Sequence, residues 1–222
     1  MMKPDKRKKK KPPTPTVKAI IICEGEGEVN YFNKLLDTYF PQLVGIVQIK
    51  ESDDGHRSAQ VLTEETFKLY KKFKALNLPV AVWCVFDRDN NEPEYLNQAK
   101  QYGEQGLGIA FSNPCFEYWF HLHVKAHTAP VETPQKMVSL LKTLPEFKDY
   151  NKPHVEHPTL WEKSNLKQGI QRANKRIKDF SITNPDTPII SVNSDPITTI
   201  HHLIEALETL EQETHTPCQK IL

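Results

Sequence analysis

Two acidic clusters in this 222-residue chain have the residue types and spacing for phosphate chemistry. One is Glu24-Gly25-Glu26-Gly27-Glu28, directly after the apolar run VKAIIIC; the other is Asp87-Arg88-Asp89-Asn90, directly after VAVWCVF. A third polar group, Ser112-Asn113, closes the run LGIAFS, and Glu117 follows one turn into the next segment. Carboxylates crowded together repel, and each raises its neighbour's pKa. A hard divalent cation, Mg²⁺ or Mn²⁺, relieves that repulsion because it seeks oxygen ligands. Residues two apart in extended chain point the same way, so Asp87 and Asp89 can face one metal while Arg88 points elsewhere or meets a phosphate. Gly25 allows a tight turn and a close approach of phosphate to the backbone. A glutamate not fully committed to the metal can act as general acid/base toward a phosphodiester. The blander reading is that strand-end acids solubilise loops or cap helices, as Asp89 or Asn90 would for a helix starting near Pro93.

The clusters need elements to position them. Dense β-branched apolar runs at 17–23 and 80–86 predict strands buried on both faces, as in a parallel sheet. Further strands are expected at 43–49 and 107–112. Helical spacing is read in YFNKLLDTYF, over 58–76, 93–105 and in FEYWFHLHV. Strands and helices thus alternate through residue 125, the pattern of an α/β domain with a mostly parallel, Rossmann-like sheet flanked by helices. Functional groups in such a sheet gather beyond the carboxyl ends of its strands, where both acidic clusters fall. From 130 onward the chain reads as a helical C-terminal extension, with helices at 134–144, 160–180 and 196–213 and one short strand at 188–192. The organisation expected is a disordered basic tail at 1–16, an α/β domain at 17–128 and a helical part at 129–222 packed on it.

Composition narrows the function classes. Hydrophobic residues are 38% and charged residues 26%, a globular balance rather than a disordered one. No apolar stretch reaches a membrane span, and the lysine-rich start lacks the apolar core of a secretory signal, so no membrane is expected. Cys23, Cys84, Cys115 and Cys218 lie far apart with no CxxC pair, which fits a reducing cytoplasm and disfavours a cysteine zinc site. Residues 1–18 carry eight Lys/Arg against Asp5, so the rest of the chain, with 21 basic and 27 acidic residues, has a net charge of −6. A basic arm on an acidic body suits contact with nucleic acid or an acidic partner, or plain solubility. The segment from 160 adds a second basic element with Lys163, Lys167, Arg172, Lys175 and Arg176; phosphate contact and a solvated face are equally open there. The histidine pairs lack zinc spacing, and each histidine is expected on a helix surface. The aromatic stretch 116–122 is expected to pack on the sheet. No Walker-type phosphate loop is present, so the chain is not expected to hydrolyse ATP itself.

These residues also carry a resemblance. AIIICEGEGEVNYFNKLL is similar to the first motif of Toprim domains, a strand ending in Glu-Gly before a helix, and VAVWCVFDRDN is similar to the second, a strand ending in Asp-x-Asp. ICEGEGE, VFDRDN and FSNPCFEYWFHLH together resemble the RloB-like family, a Toprim-related group of bacterial and phage-defence proteins. NSDPITTIHHLIEAL resembles that family's closing element, with the order here Asn193-Ser194-Asp195-Pro196. The resemblance implies a Toprim-like fold and a metal-dependent nuclease acting on DNA or RNA, tRNA included. It assigns Glu24 as general acid/base and metal ligand, Asp87 and Asp89 as the metal pair, and Glu28 as a second-line ligand. Ser112, Asn113, Glu117 and Lys152 are further candidates near the site. An ABC- or AAA-type ATPase partner and a role in abortive infection are implied too, and a homo-oligomer is left open. The alternatives are a non-catalytic module that docks on the ATPase, or another Toprim-type phosphotransfer enzyme.

Overall fold

The computed structural model describes residues 17–52, 59–89, 91–151 and 156–215. The basic tail at 1–16 and Lys152 lie outside the described residues. Five strands form one sheet: β1 (Ala19–Cys23), β2 (Val47–Glu51), β3 (Ala81–Asp87), β4 (Gly108–Asn113) and β5 (Ile197–Thr198), in the order β2-β1-β3-β4-β5. β1 through β4 run parallel, and β5 closes the edge antiparallel to β4, with Ser112 opposite Thr198. The helices are α1 (Glu26–Tyr39), α2 (Ala59–Ala75), α3 (Pro93–Glu104), α4 (Glu117–Val124), α5 (Pro134–Leu141), α6 (Lys163–Thr183) and α7 (Ile200–His215).

The chain leaves β1 in one direction to reach β2, then crosses back over β1 to reach β3. Right-handed crossovers therefore put α1 and α2 on opposite faces. One core gathers Ile21, Cys23 and Val85 under α1, α4 and α7; the other gathers Val82, Cys84 and Phe86 under α2 and α3. This covering of both faces is why β1 and β3 read as unbroken apolar runs rather than alternating ones. β4 begins at Gly108 because Trp83 lies opposite it on β3; a Cβ there would stand 2.3 Å from the indole. The expected aromatic helix is α4, whose Trp119 and Phe120 are buried against the sheet, Trp119 Nε1 donating to the Tyr31 hydroxyl at 2.7 Å.

Five expectations are corrected. Residues 188–192 form no strand; the strand after α6 is Ile197–Thr198, which also delays the last helix to Ile200. The carbonyls of Ser191 and Val192 instead accept the Asn113 amide, at 3.0 and 3.3 Å. β2 lies later than expected and so ends on Glu51, and α1 begins at Glu26, well before Tyr31. His121, His123 and His201 are buried rather than on helix surfaces. Among the described residues no helix is long and apolar enough to cross a membrane.

Candidate active site

The strand order reverses between β1 and β3, and crevices that bind ligands in open α/β sheets lie at that reversal, beyond the carboxyl ends. Glu24 follows β1 and Asp87 ends β3, so this crevice is where both acidic clusters meet. Glu24 N–H donates to Val85 O at 3.0 Å, extending the ladder by one step, and Glu24 Oε2 accepts the Asp87 N–H at 3.0 Å. Asp87 is 7% exposed, and its Oδ2 accepts the Phe116 N–H at 3.0 Å, which places Glu117 one residue further along. Burial first, then Glu28, Glu24 and Asp89, raise the Asp87 carboxyl well above the usual carboxylate range, against the pull of the Phe116 N–H. Burial raises both strand thiols, Glu28 adding to it at Cys23 and Glu24 at Cys84.

Local sequence explains these positions. Gly25 is the N-cap of α1, with Glu26 and Glu28 in the first turn, where the helix's positive end favours acids. A Cβ on Gly25 would stand 3.1 Å from Glu28 Oε2, so glycine there leaves room for the carboxylate to lie against the turn. The loop after β3 is tied down at Arg88, Asp89 and Asn91. Arg88 N–H donates to Ser112 O at 2.7 Å, Asp89 N–H to Pro114 O at 3.3 Å, and Asn91 N–H to Arg88 O at 2.8 Å. Asp89 takes φ +37, a conformation aspartate tolerates better than most residues. The Asn91 side chain donates to Asp87 O at 3.0 Å and accepts the Ala59 N–H at 3.3 Å, joining the loop to the start of α2.

The remaining candidates separate. Glu117 is 1% exposed and accepts the Tyr150 hydroxyl at 3.0 Å. Burial, then Cys115, Glu28 and Asp87, raise the Tyr150 phenol. Ser112 and Asn113 bind the C-terminal part: Ser112 Oγ lies 3.0 Å from Thr198 Oγ1, and the Asn113 amide holds the 191–192 carbonyls. On α6, Lys163, Lys167 and Lys175 are exposed, Lys175 pairing with Asp179 at 2.8 Å. Arg172 and Arg176 serve packing, donating to Leu122 O at 2.6 Å and Pro196 O at 2.9 Å.

Sequence reasoning passed over Tyr150 as a neighbour of the acids, and Glu51 and Ser52 altogether. Ser52 N–H donates to Cys23 O at 3.0 Å, so Ser52 sits beside Glu24 across the strands, its hydroxyl buried with no partner among the described residues. A cavity of about 250 Å³ opens there between Ser52, Lys50, Leu62 and Glu65. A strand boundary set by the last apolar residue, Ile49, hides these positions.

Glu24, Glu28, Asp87 and Asp89 supply oxygen donors only, and their mutual repulsion is what a hard cation would relieve. Among the described residues no three His, Cys, Asp or Glu stand close enough to form a ready-made metal cage. Mg²⁺ does not require one, because it keeps several waters and takes one or two carboxylates together with substrate phosphates. The donor set therefore fits Mg²⁺ or Mn²⁺ and not a closed structural site.

No curated protein and no solved structure matches the chain. The family model described as RloB-like protein matches residues 19–207, from the first strand into α7, with both acidic strand ends inside the match. The chain belongs to the RloB-like protein family.

Proposed function

We propose that the chain is a metal-dependent nuclease that hydrolyses phosphodiester bonds of DNA or RNA, tRNA among them, as the effector of a phage-defence system. The observation that carries this reading is Asp87, a buried carboxyl held against burial and three neighbouring acids at the reversal point of the sheet. A fold keeps such a group where chemistry needs it, since neutral residues would be more stable there. Glu24, Asp87 and Asp89 would hold Mg²⁺ or Mn²⁺, with Glu28 as an additional ligand. Bound there, the cation supplies charge stabilisation at the phosphate and a more acidic water. Glu24 is fixed by the Asp87 N–H and serves as general acid/base. Glu117 and Tyr150 position the first turn of α4, whose Phe116 N–H orients Asp87. The exposed lysines of α6 offer a track for the nucleic acid backbone. An ATPase of the ABC or AAA type is the partner that would release the activity.

Calorimetry with Mg²⁺ or Mn²⁺ on the wild type and an Asp87→Ala, Asp89→Ala double variant tests the site, each sample also being incubated with mixed DNA and RNA. The expected result is cation binding by the wild type and not by the variant, with cleavage by the wild type alone of the two once the ATPase partner is supplied. A wild type that binds no cation with or without nucleic acid would give the first place to a non-catalytic module docking on the ATPase.

A further inference from the structure

Three arginines lie among the described residues, and the fold treats them differently. Arg172 and Arg176 each donate to a main-chain carbonyl, and Arg176 also lies over the Phe180 ring at 5.3 Å. Arg88 is half-buried, its Nε is shut off from solvent, and no acceptor for it exists among the described residues. Its backbone cannot swing away to rehydrate the side chain, because the N–H is bonded to Ser112 O and the carbonyl to Asn91 N–H. A buried guanidinium donor without an acceptor is unfavourable by the full desolvation of that group. Asp87, which precedes it, gives its Oδ2 to the Phe116 N–H instead. Such an orphan at a site of crowded acids marks a partner that arrives with the substrate.

We infer that Arg88 is the anion-binding residue of the crevice, taking the oxygens of a phosphate group on the substrate. The planar guanidinium presents paired donors that match a phosphate, which an ammonium does not. Resting on the nuclease reading for its source, this phosphate is a diester of the nucleic acid chain beside the carboxylates. Arg88 thus offsets the repulsion that Glu24, Glu28, Asp87 and Asp89 would exert on any polyanion entering the crevice.

The test uses the full chain in EDTA, so that cleavage cannot intervene, and labelled single-stranded RNA and DNA read by fluorescence anisotropy. Arg88→Met is expected to bind about tenfold more weakly, with the salt dependence of binding reduced by about one charge. Arg88→Lys recovers the salt dependence and only part of the affinity. The free Arg88→Met protein is expected to melt no lower than the wild type, because the buried Nε it loses has no acceptor among the described residues. Equal binding by wild type and Arg88→Met would overturn the inference, as would a marked loss of stability in that variant. A parallel thermal-shift arm uses inorganic phosphate. If no nucleic acid binds but phosphate protects the wild type and not Arg88→Met, the anion site stands and the nuclease reading falls. If neither ligand has an effect on the wild type, the anion site falls too.

Discussion

The ends of β3 and β4 lie side by side and are both polar, but the fold treats them in opposite ways. Asp87 is pushed toward its neutral form by burial and by Glu28, Glu24 and Asp89. Ser112 and Asn113, one strand over, have their polar groups matched by Thr198 and by the 191–192 carbonyls. The first arrangement is electrostatically uncomfortable and the second is satisfied. Position at a carboxyl edge therefore does not make a residue functional; what separates the two is whether the folded chain itself meets the group's needs.

That contrast can be tested from both sides. Glu24→Gln keeps an oxygen for the Asp87 N–H but removes the charge, and is expected to lower cleavage by roughly 10² to 10⁴ in a single-turnover assay with little change in melting temperature. Asn113→Ala is expected to have the reverse profile. Losing a buried amide that serves two carbonyls should reduce stability by about 2 kcal/mol in urea titration, and any loss of activity should follow the loss of folded protein. Asp87→Asn, in EDTA, is expected to raise the urea midpoint by less than Asn113→Ala lowers it. The sign follows from the raised carboxyl: its contribution is fully present below the unfolded carboxylate pKa of about 4 and is lost as pH rises through the folded value. The gain from Asp87→Asn should therefore shrink as the solution is acidified. The smallest effect near neutrality belongs to the histidines. Burial lowers His121 and His123 to about 4 and His201 to about 3. Their contribution is present above the unfolded pKa of about 6.5 and falls away as pH drops toward those values, so the urea midpoint should decline below about pH 6.5 and decline less in His201→Phe.

The parts of the fold written most clearly in the sequence are those where local pattern and tertiary setting agree. AIIIC and VWCVF are buried on both faces, so their β-branched and apolar runs carry the sheet on their own. β5 has two residues, and its place is set by Ser112 and Asn113 far away in the chain, so no window could reveal it. Residues 188–192 have the composition of a strand, but their carbonyls are taken by Asn113 and their apolar side chains only line the second core. Two glycines made 24–28 read as a turn, whereas α1 already begins at Glu26. That Glu24, Glu28, Asp87 and Asp89 come near one another was legible because all lie at or just beyond strand ends. Tyr150 was not, because its link to the site is a single hydrogen bond to Glu117 across 33 residues. The histidines were misjudged for a related reason: their residue type is polar, and only the surrounding helices exclude water from them.

The short antiparallel β5 also orders events in time. Ser112 meets Thr198 across 86 residues, and Phe111 N–H meets Thr199 Oγ1 across 88. Loop closure over such distances is slow compared with forming the neighbouring helices. On a ribosome, β1 through β4 emerge well before the strand that seals their edge, and domains mature as translated segments become available. The backbone that supports the Asp87–Asp89 loop through Ser112 O thus gains its final brace only after residue 199 has been made. A nascent chain thus carries both acidic strand ends before it carries the strand that seals the β4 edge beside them.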